Sequence, residues 1–248
     1  MEEFLHLGSI GALRNIPKGV TLPRRATLEY KGVRHDASIQ TVDISKAEYK
    51  TIKGTELNFR DSWKYNVAGY ELAKILELNM VPPYVERSVG GYAASLSWWV
   101  NDTMMEYDRR GQKIEVPDKE SWNKQMYAVR VLHQLVYDTD PNLTNLLITK
   151  DWQLWVIDFT RAFQLYKTLR DPKDLVQCDR RLLAKLRALD KDTLQQNLGR
   201  WLTKGEVNAA TARAAKIVEF FDKEIAAKGE AAVLYDFPRS QQACGTGL

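Results

Sequence analysis

The run LVYDTDPNLTNLLIT at positions 135–149, followed after a short turn by LWVIDFTRAF at 154–163, decides how the chain is read. Two short apolar segments, Leu146–Ile148 and Leu154–Ile157, flank Lys150 and Asp151, which predicts a β-hairpin with the charged pair in its turn. The outer ends of two similar arms come back together. Asn145 and Asp158, thirteen residues apart, are therefore expected side by side, with Asp140 in the loop five residues before Asn145. That layout supplies a carboxylate to accept a hydroxyl proton, and an amide plus a second carboxylate to hold the cations that neutralise phosphates. An Asp-x4-Asn spacing alone also describes loop residues that cap turns. The apolar hairpin running into Ile157, Asp158 and Phe159 is what favours the chemical reading.

On these residues the chain resembles the protein-kinase-like superfamily, and more closely its atypical branches: the lipid-kinase, HipA and secretory Fam20-like groups. In those groups a catalytic-loop Asp-x4-Asn is followed by a hairpin and an Asp-Phe-(Gly/Ser/Thr) metal motif. The resemblance implies an α+β, two-lobed protein-kinase-like fold. Its small antiparallel β N-lobe would span 1–100, with one helix over Asp61–Leu78. Its mainly helical C-lobe would span 101–238 around the catalytic hairpin 140–163, and 239–248 would be a disordered tail. It further implies ATP and Mg2+ (or Mn2+) as cofactors, with Asp140 as base and Asn145 and Asp158 as metal ligands.

Composition bounds this reading. A chain of 248 residues, 44% hydrophobic, can bury a full core as one large domain or two lobes. Its 36 basic and 32 acidic residues leave a mild +4 with no polybasic tract, which argues against nucleic-acid or membrane partners while leaving nucleotides compatible. Two cysteines, Cys178 and Cys244, make no disulfide framework, and His6, His35 and His133 have no zinc-ligand spacing. Oxygen ligands and magnesium fit better. No apolar run approaches the ~20 residues needed to span a bilayer, and no secretory signal opens the chain. A cytoplasmic protein is the default expectation, a trimmed leader being the alternative.

In the small lobe, Phe4–Ile16 is expected to be a first strand or irregular entry, and 17–21 a turn. In the kinase-like layout that turn covers the phosphates, with Gly19 allowing close approach and Lys18 or backbone N–H groups meeting phosphate oxygens; an ordinary hairpin turn is the competing reading. Arg25–Tyr30 and Val33–Val42 read as strands joined at Lys31 and Gly32. The second of them places Gln40 where most kinases carry the lysine that grips the phosphates, and the helix capped by Asp61 places Asn66 where its glutamate partner would sit. Glu71 or Glu56 takes that place in another register. A joint exchange is chemically coherent, because two amides can pair without stranding a carboxylate. It removes the fixed cation, so either Lys18, Lys46, Lys50 or Lys53 reaches in, or nucleotide binding is weak, or the protein is a pseudokinase.

A second hairpin over 81–100 turns at Gly90 and Gly91 and ends in Trp98, Trp99 and Val100, the linker whose backbone would contact the adenine. Adjacent strand residues face opposite ways, so one tryptophan can border the nucleotide while the other packs inward; the competing reading makes both core aromatics. A polar loop is expected over Asp102–Pro117, then a helix over Lys119–Tyr137 with an apolar face through Ala128, Leu132 and Leu135, beside which His133 reads as a core or boundary histidine. Arg161, three past Asp158, either supplies charge to the site or pairs with a carboxylate. Helical stripes fill 182–225, and Gly229–Asp236 is expected to dock as an extended segment.

The function expected is phosphoryl transfer from ATP to an unidentified hydroxyl on a protein, lipid or small molecule. A non-catalytic nucleotide-binding scaffold, favoured by Gln40 and Asn66, is the alternative, and nucleotidyl transfer on the same fold is a third.

Overall fold

The computed structural model describes residues 1–16, 23–51 and 54–237. Lys18, Gly19 and the turn that carries them lie outside these residues, as do Lys53 and the tail. The chain begins not with a strand but with helix α1 (Glu2–Leu7), followed by the short strands β1 (Ser9–Ile10) and β2 (Arg14–Asn15). Two acids in its first turn suit the helix N-terminus, and Phe4 and Leu5 give it something to bury. β3 (Arg24–Tyr30) and β4 (Val33–Gln40) form the expected hairpin. Lys31 and Gly32, at φ 51° and 78°, are both left-handed, as a two-residue turn matching strand twist requires.

β7 (Tyr84–Val89) and β8 (Tyr92–Trp98) complete an antiparallel sheet of order β1-β3-β4-β8-β7, with β2 also on β3. Alternate residues of these strands, Ala26, Leu28, Ala37, Ile39, Ala94 and Leu96, join Phe4 and Leu5 of α1 in one apolar cluster. The opposite face of β4 and β8, carrying Ser38, Gln40, Ser95 and Ser97, is left for the interlobe side; in register Ser38 faces Ser97 and Gln40 faces Ser95.

Between β4 and the helix stands a feature the sequence did not announce: a hairpin arm of β5 (Asp43–Thr51) and β6 (Gly54–Ser62), paired only with each other. Its residues are mostly exposed apart from Phe59, Asp61 and Ser62 near its root. Helix α2 runs Trp63–Ile75, shorter than the expected Asp61–Leu78. Asp61 is extended in β6 opposite Ile44, so it cannot open the helix, and Ser62 caps it by accepting from the Lys64 N–H at 3.3 Å.

The buried face of α2, including Trp63, Val67, Ala68 and Leu72, packs into the second and larger apolar cluster. That cluster is centred on α4 (Lys119–Val136), whose Val129, Leu132, Leu135 and Val136 are buried. The stretch 102–117, expected as a loop, contains β9 (Met104–Met105) and α3 (Glu106–Gly111). β9 pairs with β10 (Leu146–Ile148), and β10 with β11 (Leu154–Val156). β12 (Cys178–Asp179), α5 (Arg180–Ala188), α6 (Lys191–Leu198), α7 (Lys204–Lys228), α8 (Glu230–Val233) and β13 (Leu234–Tyr235) close the lobe. Only part of the expected extended segment 229–236 is strand, and it pairs in parallel with β12. Among the described residues no helix is long and apolar enough to cross a membrane.

Candidate active site

The hairpin in the deciding stretch forms in the expected register, Leu146 facing Val156 and Ile148 facing Leu154. One step beyond, the Ile157 N–H donates to the Asn145 carbonyl at 3.0 Å, which brings Asn145 next to the strand end that carries Asp158. A 3-10 turn over Leu143–Asn145, capped by the Asn142 side chain on the Thr144 N–H, folds the preceding loop back. In it the Asn145 amide donates to the Asp140 carbonyl at 3.4 Å, and Asn142 donates to the Asp140 carboxylate at 3.3 Å.

Asp158 sits at φ 61°, in left-handed backbone that a non-glycine residue occupies at some cost, and it is held there from several sides. Its own N–H meets the Tyr84 hydroxyl at 3.3 Å. The next N–H, of Phe159, donates to the Asn66 side-chain oxygen at 2.7 Å, and the Thr160 carbonyl accepts from the Ser62 N–H at 2.9 Å. Three consecutive residues of the motif are thus bound by small-lobe groups. The Phe159 ring lies against Gly69 so closely that a Cβ there would sit 2.7 Å from Cγ. On the far side the Phe163 N–H donates to the Val136 carbonyl, and the fully buried Arg213 donates to the carbonyls of Leu135, Gln164 and Tyr166. With no carboxylate among these partners, Arg213 ties the chain entering the 138–145 loop to the chain leaving the 158–163 segment.

The electrostatics of this region are those of crowded acids. Burial raises the Asp158 carboxyl, the Thr160 hydroxyl opposes that by donating at 2.9 Å, and repulsion from Asp140 raises it again. Two further carboxylates share the region without having been singled out by the sequence. Asp138, 3% exposed, accepts from the Asp140 N–H at 2.9 Å; burial first, then Asp140 and Asp158, push its carboxyl up to about 7. Asp61, 6% exposed, is raised by burial, and repulsion from Asp158 and Asp140 adds to this. Asp138 was passed over although it lies inside the quoted stretch, two residues before Asp140, a spacing that could have drawn attention to it. Nothing local marked Asp61, since a strand residue before a helix looks like a cap. His133 lies at the edge of the core, within the core-or-boundary expectation, pushed down to about 4 by burial, with Nε2 3.9 Å from Asp138.

The other expected site residues are placed as follows. Gln40 ends β4, buried, with its side-chain oxygen accepting from the N–H groups of Thr41 and Val42 at 2.9 and 3.0 Å. Asn66 donates to the Ser95 hydroxyl at 3.2 Å and accepts from Phe159, so its amide links sheet and motif. Trp98 and Trp99 point oppositely, as alternation requires. Trp98 stacks on His35 at 3.6 Å and meets Phe4 at 5.5 Å on the α1 side, whereas Trp99 lies under the Arg25 guanidinium at 4.0 Å. The Val100 carbonyl accepts from Thr103 at 3.5 Å. Arg161 pairs with Glu56 of the arm at 2.5 Å and lies 4.3 Å over Phe59.

No three His, Cys, Asp or Glu side chains among the described residues are set closely enough to hold an ion unaided. A kinase-type site does not ask for that, since one carboxylate, one amide, phosphate oxygens and water complete an octahedral magnesium shell. Mutual repulsion of Asp61, Asp140 and Asp158, with the Asp61 Oδ1 buried and without a hydrogen-bond partner, is the surrounding a divalent cation relieves. The donor set fits such an ion.

No family model and no curated protein matches the sequence. Solved structures do. Hydra Fam20 with sugar superposes with a TM-score of 0.66 over 95% of this chain and 91% of its own, at 12% identity. The Golgi casein kinase gives 0.67 over 96% and 78%, also at 12%. The chain has a protein-kinase-like fold. The same Golgi kinase with Mn/ADP bound gives 0.65 at 14% identity, over 96% of this chain and 79% of that one. In the kinase-like frame, the sheet with α1 is the small lobe, and the Asp158 motif lies where the two lobes meet.

Proposed function

We propose that this protein is an ATP-dependent phosphotransferase that uses a divalent cation and acts on a hydroxyl group. The observation that carries the reading is the hairpin closure that sets Asn145 beside Asp158, with Asp140 hydrogen-bonded into the same loop. The Mn/ADP found in the Golgi casein kinase supports a metal-nucleotide pair in a fold of this shape. Asp158 and Asn145 would hold Mg2+ or Mn2+, which when bound screens the phosphate charge. Asp140 takes the proton of the acceptor hydroxyl as its oxygen bonds to the γ-phosphorus; the bond to the β–γ bridging oxygen breaks, and ADP leaves with that electron pair. The division of the chain near residue 100, with Trp99 and the Val100 backbone at the nucleobase end, belongs to the same proposal.

One observation favours a second reading, a nucleotide-binding protein without catalysis. Gln40 turns its oxygen onto its own backbone, and with Asn66 committed to Phe159 the phosphate end gains no fixed cation from either residue. The deciding experiment incubates the full chain with Mn2+ or Mg2+ and ATP labelled at the α- or the γ-phosphate, alongside Asp158→Ala. Transfer of γ-label by wild type alone is expected. Transfer of α-label would mean nucleotidyl transfer, and metal-dependent thermal stabilisation without transfer would mean binding only.

A further inference from the structure

We infer that Asp61, at the root of the hairpin arm, is an additional carboxylate of the divalent-cation site, facing Asp158 across Thr160. The inference rests on the phosphotransferase reading and extends it to a residue that lies outside the catalytic hairpin. Asp61 is fixed by two flanking constraints. Its pairing with Ile44 holds the backbone extended, and the following N–H, of Ser62, binds the Thr160 carbonyl at 2.9 Å. The arm therefore delivers this side chain to the segment that carries Asp158. Thr160 stands between the two acids, donating its hydroxyl to Asp158 at 2.9 Å and meeting Asp61 as well.

Asp61 is 6% exposed, yet its Oδ1 has no hydrogen-bond partner among the described residues. A buried carboxylate oxygen left unpaired is costly, and most native ones find a donor or an ion. The charges around it sharpen the point. Burial comes first and Asp158 and Asp140 both repel it; the Thr160 hydroxyl and the Arg161 guanidinium, which also pairs with Glu56 at 2.5 Å, oppose them without outweighing them. A cation arriving from outside would relieve this burial and repulsion and would occupy the open Oδ1. Because Asn66 donates to Ser95 and accepts from Phe159, the small lobe's contribution to the ion comes from Asp61, two residues before the first residue of α2.

The test measures Mn2+ binding to the full chain in the presence of ADP, from the loss of the free-ion paramagnetic resonance signal, for wild type, Asp61→Asn and Asp158→Asn. Asp61→Asn keeps shape and removes charge. It is expected to weaken Mn2+ binding about tenfold or more. Its metal-free Tm should equal or exceed that of wild type, and the rise in Tm on adding Mn2+ should shrink. Wild-type affinity in Asp61→Asn with loss in Asp158→Asn would overturn the inference and leave the phosphotransferase reading standing. Unchanged affinity in both, or no Mn2+ binding by wild type, would overturn both. A lower metal-free Tm with Mn2+ affinity intact would show Asp61 to be structural and also overturn the inference. Asp61→Ser repeats the measurement should the amide prevent folding.

Discussion

Asp36, on the main sheet, and Asp61, on the separate β5–β6 arm, are both carboxylates of the first hundred residues, and the fold treats them in opposite ways. Asp36, on β4, accepts from the Thr27 hydroxyl at 2.5 Å and from Arg25 at 2.6 Å, with Arg14 at 3.4 Å. Burial alone would raise its carboxyl, but Thr27 and Arg25 outweigh burial and hold it below the usual range. Asp61 keeps one oxygen unpartnered and is raised. The first acid is finished within the protein, its arginine stacked on Trp99 at the linker. The second is left unfinished beside Asp158. One carboxylate finds its partners inside the protein, while the other keeps one buried oxygen open, which is the kind of place where a ligand is sought.

The largest expected effect separates the two ends of the cleft. Asp158→Asn should lower phosphoryl transfer at least about 100-fold with little change in Tm, because it removes a group aimed at developing charge. Asp36→Asn should do the reverse, costing about 1–3 kcal/mol in urea denaturation through lost charge-assisted hydrogen bonds, with transfer per folded molecule retained. If Asp36→Asn proved as inactive as Asp158→Asn, the contrast would fail.

Gly69→Ala tests the clamp on the motif. In a bare helix alanine would gain about 1 kcal/mol over glycine. Here the new Cβ would lie 2.7 Å from Phe159, which is 1% exposed and held by Asn66. Overpacking should win, with a net loss of about 1–3 kcal/mol and lower activity from a displaced Asp158. A more stable, fully active Gly69→Ala protein would show the motif to be loosely seated.

Asp138 and His133 give a pH signature beneath the loop. Asp138 has a folded pKa of about 7 against 3.8, so its stabilising contribution is present at low pH and is lost as pH rises through 7. His133 has a folded pKa of about 4 against 6.5, so its contribution is present above 6.5 and is lost as pH falls through 4. Between pH 4 and 6.5 the two slopes oppose each other. Asp138→Asn should leave the histidine slope alone, so that Tm climbs by several degrees from pH 4 to 6.5, at about 2–4 °C per kcal/mol for a chain of this size. A Tm profile unchanged by the substitution would contradict the burial of this pair.

The smallest effect concerns the arm. Glu56→Gln should cost under about 1 kcal/mol, as partly exposed ion pairs do, while Arg161 stays over Phe59. A larger loss, read by urea denaturation, would mean that the arm anchors Asp61 more firmly than its backbone pairing alone provides.

The parts of this protein that were legible share a physical character. The β10–β11 hairpin declared itself because alternation, turn residues and polar ends lie within about two dozen positions, where strand pairing is fixed locally. The β3–β4 turn and the core face of α4 were legible for the same reason. The arm was silent: Lys46, Glu48, Lys50, Glu56 and the 56%-exposed Leu57 show no buried side, since neither strand covers a core. α1 was hidden by its six-residue length, and its helical form depends on Phe4 and Leu5 meeting a sheet built from strands up to ninety residues later.

The amino-acid sequence by itself determined that Asn145 and Asp158 sit at the ends of one hairpin with Asp140 in the loop before it, because each short-range spacing leaves few ways for the backbone to run. Tertiary structure decided which groups from elsewhere face them. Asn66 became a clamp on Phe159, Arg161 a partner of Glu56, and Asp61 a buried acid near Asp158 with one oxygen unpartnered, because burial, charge pairing and repulsion exist only once distant segments have met.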